Sequence, residues 1–149
     1  MEINGVAHIF VNVVKFDECA AFYRRMLPFL GLTHVVRDTP EQLYCIGGRT
    51  GFGVARCAPE SRDAAFSQAR GGLHHVCFRA RSRADVDAVY GLARELGAKI
   101  VRAPEEGHWA PGYYSTLFED PDGIRLEVNH IPGKGLLASN ASQKSTRID

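Results

Sequence analysis

The stretch VAHIFVNV at residues 6–13 decides the reading of this chain, because it lies over LHHVCFRA at residues 73–80 with His8 on His75, a shift of 67 positions. At the same shift Tyr23 meets Tyr90. One residue then drops out of the second copy, so that Leu30-Gly31 meets Leu96-Gly97 and Val35 meets Val101. Three windows matching in the same order point to a duplicated unit. The windows fall on a strand, a helix and the strand after it, and in the first strand Ala7, Ile9, Val11 and Val13 fall on one side, and Val6, His8, Phe10 and Asn12 on the other. The uniformly apolar side should pack on a helix, which sends His8 to the opposite face.

Working outward, Asp17 is placed to cap a helix through Ala20, Ala21, Tyr23, Arg24 and Leu27, which Pro28 and Gly31 should stop. Strands are expected at 33–37, 42–46 and 52–57, separated by Thr39-Pro40 and Gly47-Gly48. The first half therefore reads βαβββ. The second repeats it, with a strand at 73–80, a helix at 83–96 capped by Ser82 and ended by Gly97, and strands at 99–102, 114–119 and 124–129. We read one domain, 1–132, made of modules 5–58 and 72–131 joined by a polar linker, 59–71, that holds one helical turn. A polar tail, 133–149, follows and carries no recognisable chemistry.

Composition sets the bounds. With 149 residues, 45% apolar and 23% charged, the chain can bury one ordinary globular core. Its formal net charge of +1 arises from interleaved acids and bases, which gives no electrostatic case for nucleic acid or an anionic membrane. No run approaches the roughly 18 consecutive apolar residues of a membrane span, and no leader-like pattern opens the chain, so a cytoplasmic protein is expected. Cys19, Cys45, Cys57 and Cys77 lack paired spacing and read as reduced, mostly buried thiols.

Strand parity chooses between adjacent histidines. His74 shares a side with Val76, Phe78 and Ala80, the helix-packed one, whereas His75 goes with Leu73, Cys77 and Arg79. On the last strand Ile124, Leu126 and Val128 form the apolar side and leave Arg125, Glu127 and Asn129 on the other. His8, His75 and Glu127 thus all avoid the helix-packed faces. Two imidazoles and a carboxylate suit one divalent ion of Fe, Mn, Ni, Co or Zn and leave positions open for a substrate. Weaker candidates for substrate binding are His108, Trp109, Tyr113 and Tyr114 in PEEGHWAPGYY, and Arg79 and Arg125, with Arg56 also admitted by parity.

The histidine strand, AFYRRML at 21–27, GLHHVCF at 72–78 and FEDPDGIRLEV at 118–128 together resemble the vicinal oxygen chelate superfamily, the glyoxalase, bleomycin resistance and extradiol dioxygenase family. The resemblance covers about residues 5–132. It implies an α+β fold of two βαβββ modules forming a cupped eight-stranded mixed sheet with helices outside, often as a homodimer. It also implies a metal chelated by two neighbouring oxygens of a small-molecule substrate, with His8, His75 and Glu127 as ligands. Asp120-Pro121-Asp122-Gly123 reads as a structural turn before the last strand. Glyoxalase I enzymes carry a second metal-binding glutamate on the last strand of the first module. That strand here is GFGVARC, with Val54 near the expected position, which puts a glyoxalase reaction in doubt. Fosfomycin thiol transferases and ring-cleaving dioxygenases use three ligands. The competing expectation is a protein of bleomycin resistance type, which sequesters its ligand without chemistry.

Overall fold

A computed structural model describes residues 3, 5–64 and 66–133, and the tail from residue 134 lies outside the described residues. The chain forms two compact units, the first Met1–Gly72 with Glu119–Ile124, the second Leu73–Phe118 with Arg125–Asp149.

In the first unit β1 (His8–Val13), α1 (Phe16–Phe29), β2 (His34–Asp38), β3 (Gln42–Gly47) and β4 (Thr50–Arg56) follow one another. The sheet order is β1-β4-β3-β2, with β1 parallel to β4 and the β2–β3 and β3–β4 pairs antiparallel. The parity expected of β1 holds: Val11 and Val13 are buried, whereas His8, Phe10 and Asn12 are exposed. Val13, Leu43, Phe52 and Val54 form a core with Phe16, Tyr23, Met26 and Leu27 of α1. Burying each large side chain contributes about 1.5–3 kcal/mol.

Two local expectations for α1 change. Its N-cap is Lys15, which offers no capping side chain, and Asp17 instead pairs with Arg56 at 3.1 Å. The orphan amides of Val14 and Lys15 donate to the carboxylate of Asp122, 2.8 and 3.2 Å away and more than a hundred residues along the chain. A helix start needs acceptors for its free N–H groups, and here a distant carboxylate supplies them. The helix also runs through Pro28, because a proline this late removes one amide bond while its carbonyl still accepts from Gly31.

The Asp120–Gly123 turn that carries Asp122 belongs to this unit. Gly123, at φ +89°, makes the left-handed step, and its amide donates to the Asp120 carbonyl at 3.0 Å. The Asp120 carboxylate accepts from the amides of Asp122 and Ile124 and from the Tyr23 hydroxyl, at 2.9, 2.8 and 2.8 Å. Burial pushes its pKa up to about 6. The turn is structural, as expected, and it also seats the first helix.

The second unit holds β5 (Val76–Arg79), α2 (Arg83–Glu95), β6 (Lys99–Glu106), β7 (Tyr114–Glu119) and β8 (Arg125–His130) in the order β5-β8-β7-β6, with β5 parallel to β8. Here the cap is local. Ser82 and Asp85 form a capping box, each side chain bonded to the other's backbone amide. β5 is shorter than expected, because its pairing with β8 begins at Val76 opposite Leu126. β6 is longer and continues past Pro104 to Glu106. The linker contains the helical turn expected, a 3₁₀ helix at Pro59–Ser61. The fold is thus α+β, two βαβββ modules whose eight strands make two four-stranded mixed sheets. Among the described residues no helix is long and apolar enough to cross a membrane.

Candidate functional site

Parallel pairing of β5 with β8 sets Cys77 opposite Glu127. Because Leu126 and Val128 occupy the apolar side, Glu127 emerges on the other, yet it is only 7% exposed. A carboxylate this enclosed requires partners. His75 Nε2 stands 3.3 Å from Oε2. Oε1 accepts from the Tyr113 hydroxyl at 2.7 Å and from the Arg102 guanidinium at 3.1 Å. Asn129 Nδ2 donates to the Tyr113 oxygen at 3.0 Å, and Arg102 also donates to Ser115 Oγ at 2.7 Å. One oxygen of Glu127 is therefore anchored from behind, and the other faces an imidazole.

The neighbouring groups are held in defined protonation states. Desolvation raises Tyr113 above the usual tyrosine range, and its hydrogen bond to Glu127 adds to this, so Tyr113 is a hydroxyl donor and not a phenolate. Desolvation of the Cys77 sulfur, with the charge of Glu127, pushes that thiol up to about 12. Cys77 is the exposed cysteine, while Cys19, Cys45 and Cys57 are buried. His74 Nδ1 lies 2.7 Å from His75 Nδ1, so one proton serves both nitrogens. Either ring carries that proton, according to tautomer.

His75 and Glu127 thus come together in the second unit. His8 lies in the first, on the open side of the β1–β4 pair, where its ring meets Phe10 and Tyr44 edge-on at 5.7 and 6.2 Å. Within each unit, among the described residues, no group of three His, Cys, Asp or Glu side chains is gathered for a metal. The imidazole and carboxylate of the second unit fit a divalent ion by their donor chemistry, with a ring nitrogen and a carboxylate oxygen side by side and Oε1 held by outer partners.

The weaker candidates separate. Tyr113 reaches Glu127, and Trp109 stacks on Tyr113 with ring centres 5.0 Å apart while Arg102 covers its face at 5.1 Å. Tyr114, one residue on, turns to the other side, where its hydroxyl donates to Asp87 of α2. His108 is exposed. Arg79 is exposed and donates to the Ile131 carbonyl at 3.4 Å, and Arg125 is half-buried at the start of β8. Arg56 does not share the open side: it stacks on Phe16 of α1 and pairs with Asp17, following the parity of Phe52 and Val54. Arg102 was missed by sequence reasoning. Its parity on β6 was readable, but nothing in the sequence pairs β6 with β8 across β7.

Strand register also corrects the position compared with a second glutamate. Phe10 pairs with Gly53 on β4, just as its repeat counterpart Cys77 pairs with Glu127 on β8. The equivalent of Glu127 in the first half is Gly53, one place before Val54, which is buried on the helix side. A Cβ at Gly53 would run into the Phe10 ring, and one at Gly51 into Tyr44. The two glycines let these rings lie against the sheet.

Comparisons with known proteins agree with this architecture. A candidate glyoxalase from Bacillus halodurans superposes with a TM-score of 0.76 at 27% identity, covering 86% of this chain and 96% of that one. A glyoxalase/bleomycin resistance protein from Albidiferax ferrireducens T118 gives 0.67 at 21%, covering 85% and 98%. A lactoylglutathione lyase from Agrobacterium tumefaciens gives 0.63 at 22%, covering 87% and 96%. These last two similarities concern the fold alone. No curated protein matches the chain. The model of the Glyoxalase/Bleomycin resistance protein/Dioxygenase superfamily matches residues 5–128, and with the paired βαβββ modules this establishes that the chain belongs to that superfamily.

Proposed function

We propose that this protein is a divalent-metal-dependent enzyme acting on a small substrate that offers two neighbouring oxygens, by a lyase, thiol transferase or ring-cleaving dioxygenase reaction. The observation that carries the reading is the pose of Glu127. An enclosed carboxylate whose Oε1 is tied to Tyr113 and Arg102, and whose Oε2 is turned to His75 Nε2 at 3.3 Å, is prepared to donate through one oxygen. His75 and Glu127 would hold the ion, with His8 of the same chain or of a second copy as third donor. When bound, it supplies Lewis acidity that stabilises negative charge developing on the substrate oxygens.

The chain's own groups do the rest. With the proton between the two Nδ1 atoms on His75 and accepted by His74, the His75 Nε2 lone pair would be available to the ion. Tyr113 fixes the Glu127 rotamer without adding charge. Burial and the charge of Glu127 push the Cys77 thiol up to about 12, which disfavours it as a nucleophile. Gly53 provides no second carboxylate, which favours chemistry other than that of glyoxalase I.

The test is elemental mass spectrometry of gently purified protein, wild type beside Glu127→Gln. About one equivalent of Fe, Mn, Ni, Co or Zn per chain is expected, and lost in the variant. Wild-type protein that arrives without metal and takes none up on reconstitution would sink the proposal. A second reading, sequestration of a ligand without chemistry, is favoured by the ring pair Phe10 and Tyr44, 4.8 Å apart, with Phe10 exposed on a glycine floor. It predicts a flat aromatic ligand recovered unchanged after long incubation with metal-loaded protein.

A further inference from the structure

We propose that Arg102 is a built-in stand-in cation for Glu127, which holds divalent-metal affinity down and makes loading reversible. The inference rests on the metal reading above. A buried carboxylate cannot be left uncompensated, and the guanidinium supplies the compensation when no ion is present. The guanidinium is also held by Ser115 Oγ at 2.7 Å and by the Trp109 face, while among the described residues its buried Nε finds no hydrogen-bond partner and has only the Glu105 carboxylate, 3.7 Å away. Tyr113 already anchors the same Oε1 through a shorter and neutral bond. What Arg102 adds is charge. A positive charge in contact with one carboxylate oxygen repels a second cation at the other, more strongly inside the protein than in water.

Trp109, the chain's single tryptophan, lies against the guanidinium and offers a reporter of its position.

The experiment is a titration of metal-free full-length protein with Mn(II), followed by calorimetry and by Trp109 fluorescence, for wild type, Arg102→Met and Arg102→Lys. Arg102→Met should bind Mn(II) at least tenfold more tightly, and Arg102→Lys should stay near wild type. Trp109 emission should respond to Mn(II) in wild type and lose most of that response in Arg102→Met. If Arg102→Met fails to fold, Arg102→Gln makes the same comparison. Equal or weaker Mn(II) binding in the neutral variants, with wild-type binding intact, would overturn the stand-in role and make Arg102 an ordinary support of Glu127, leaving the metal reading in place. No binding by wild type or by either neutral variant would remove both.

Discussion

The parallel pair β1/β4 and the parallel pair β5/β8 use one backbone plan for opposite purposes. In the first, Phe10 opposite Gly53 and Tyr44 beside Gly51 make an aromatic surface, with His8 at one end and Arg37 paired beside Tyr44. In the second, Cys77 opposite Glu127 makes a carboxylate site enclosed by Tyr113, Arg102 and His75. Register is shared because both pairs rest on the same apolar side against a helix, and a one-residue slip would expose that side. The open side is not under that constraint, so duplication could keep the scaffold while the residues facing away from the helix diverged.

The largest test of this contrast is Glu127→Ala. It leaves the Arg102 guanidinium and Tyr113 hydroxyl without their acceptor, and should cost about 3 kcal/mol in denaturant unfolding. A loss under about 0.5 kcal/mol would mean that the carboxylate is not electrostatically enclosed. Next comes Gly53→Val in the half without the carboxylate. The new side chain meets the Phe10 ring, with an expected loss of about 2 kcal/mol that Phe10→Ala in the same chain largely restores. Additive losses in the double variant would break the account of the glycine floor. The smallest effects separate the two helix starts. Ser82→Ala should cost about 1 kcal/mol, read as local fraying of α2 by hydrogen exchange. Asp122→Ala should cost a comparable amount or slightly more at α1, and should loosen the Asp120–Gly123 turn along with it. Fraying confined to α1 would show that the turn holds independently.

Much of this was legible because periodicity reports which side a residue takes. The parity of Val6–Val13 and the placement of Glu127 beside Asn129 needed only the alternation of a strand, whereas His74 does not take the helix-packed side expected of it: β5 begins at Val76, and His74 is exposed with its ring against that of His75. The capping box at Ser82 was equally local. What escaped had a partner distant in sequence. Asp122 capping α1, Tyr113 reaching Glu127 while Tyr114 turns to Asp87, and Arg102 crossing to β8 all depend on strand order.

By itself, then, the chain's pattern of apolar residues and its internal repeat determined two βαβββ modules and the faces on which His8 and Glu127 emerge, since these follow from periods of two and 3.6 residues along a single strand or helix. Only the tertiary structure decided that Glu127 pairs with Arg102 and Tyr113, that its counterpart is Gly53, and that the first helix is capped from the Asp120–Gly123 turn. Those contacts are set by which strands lie side by side and in what register, quantities that depend on the packing of the whole unit and have no local signature.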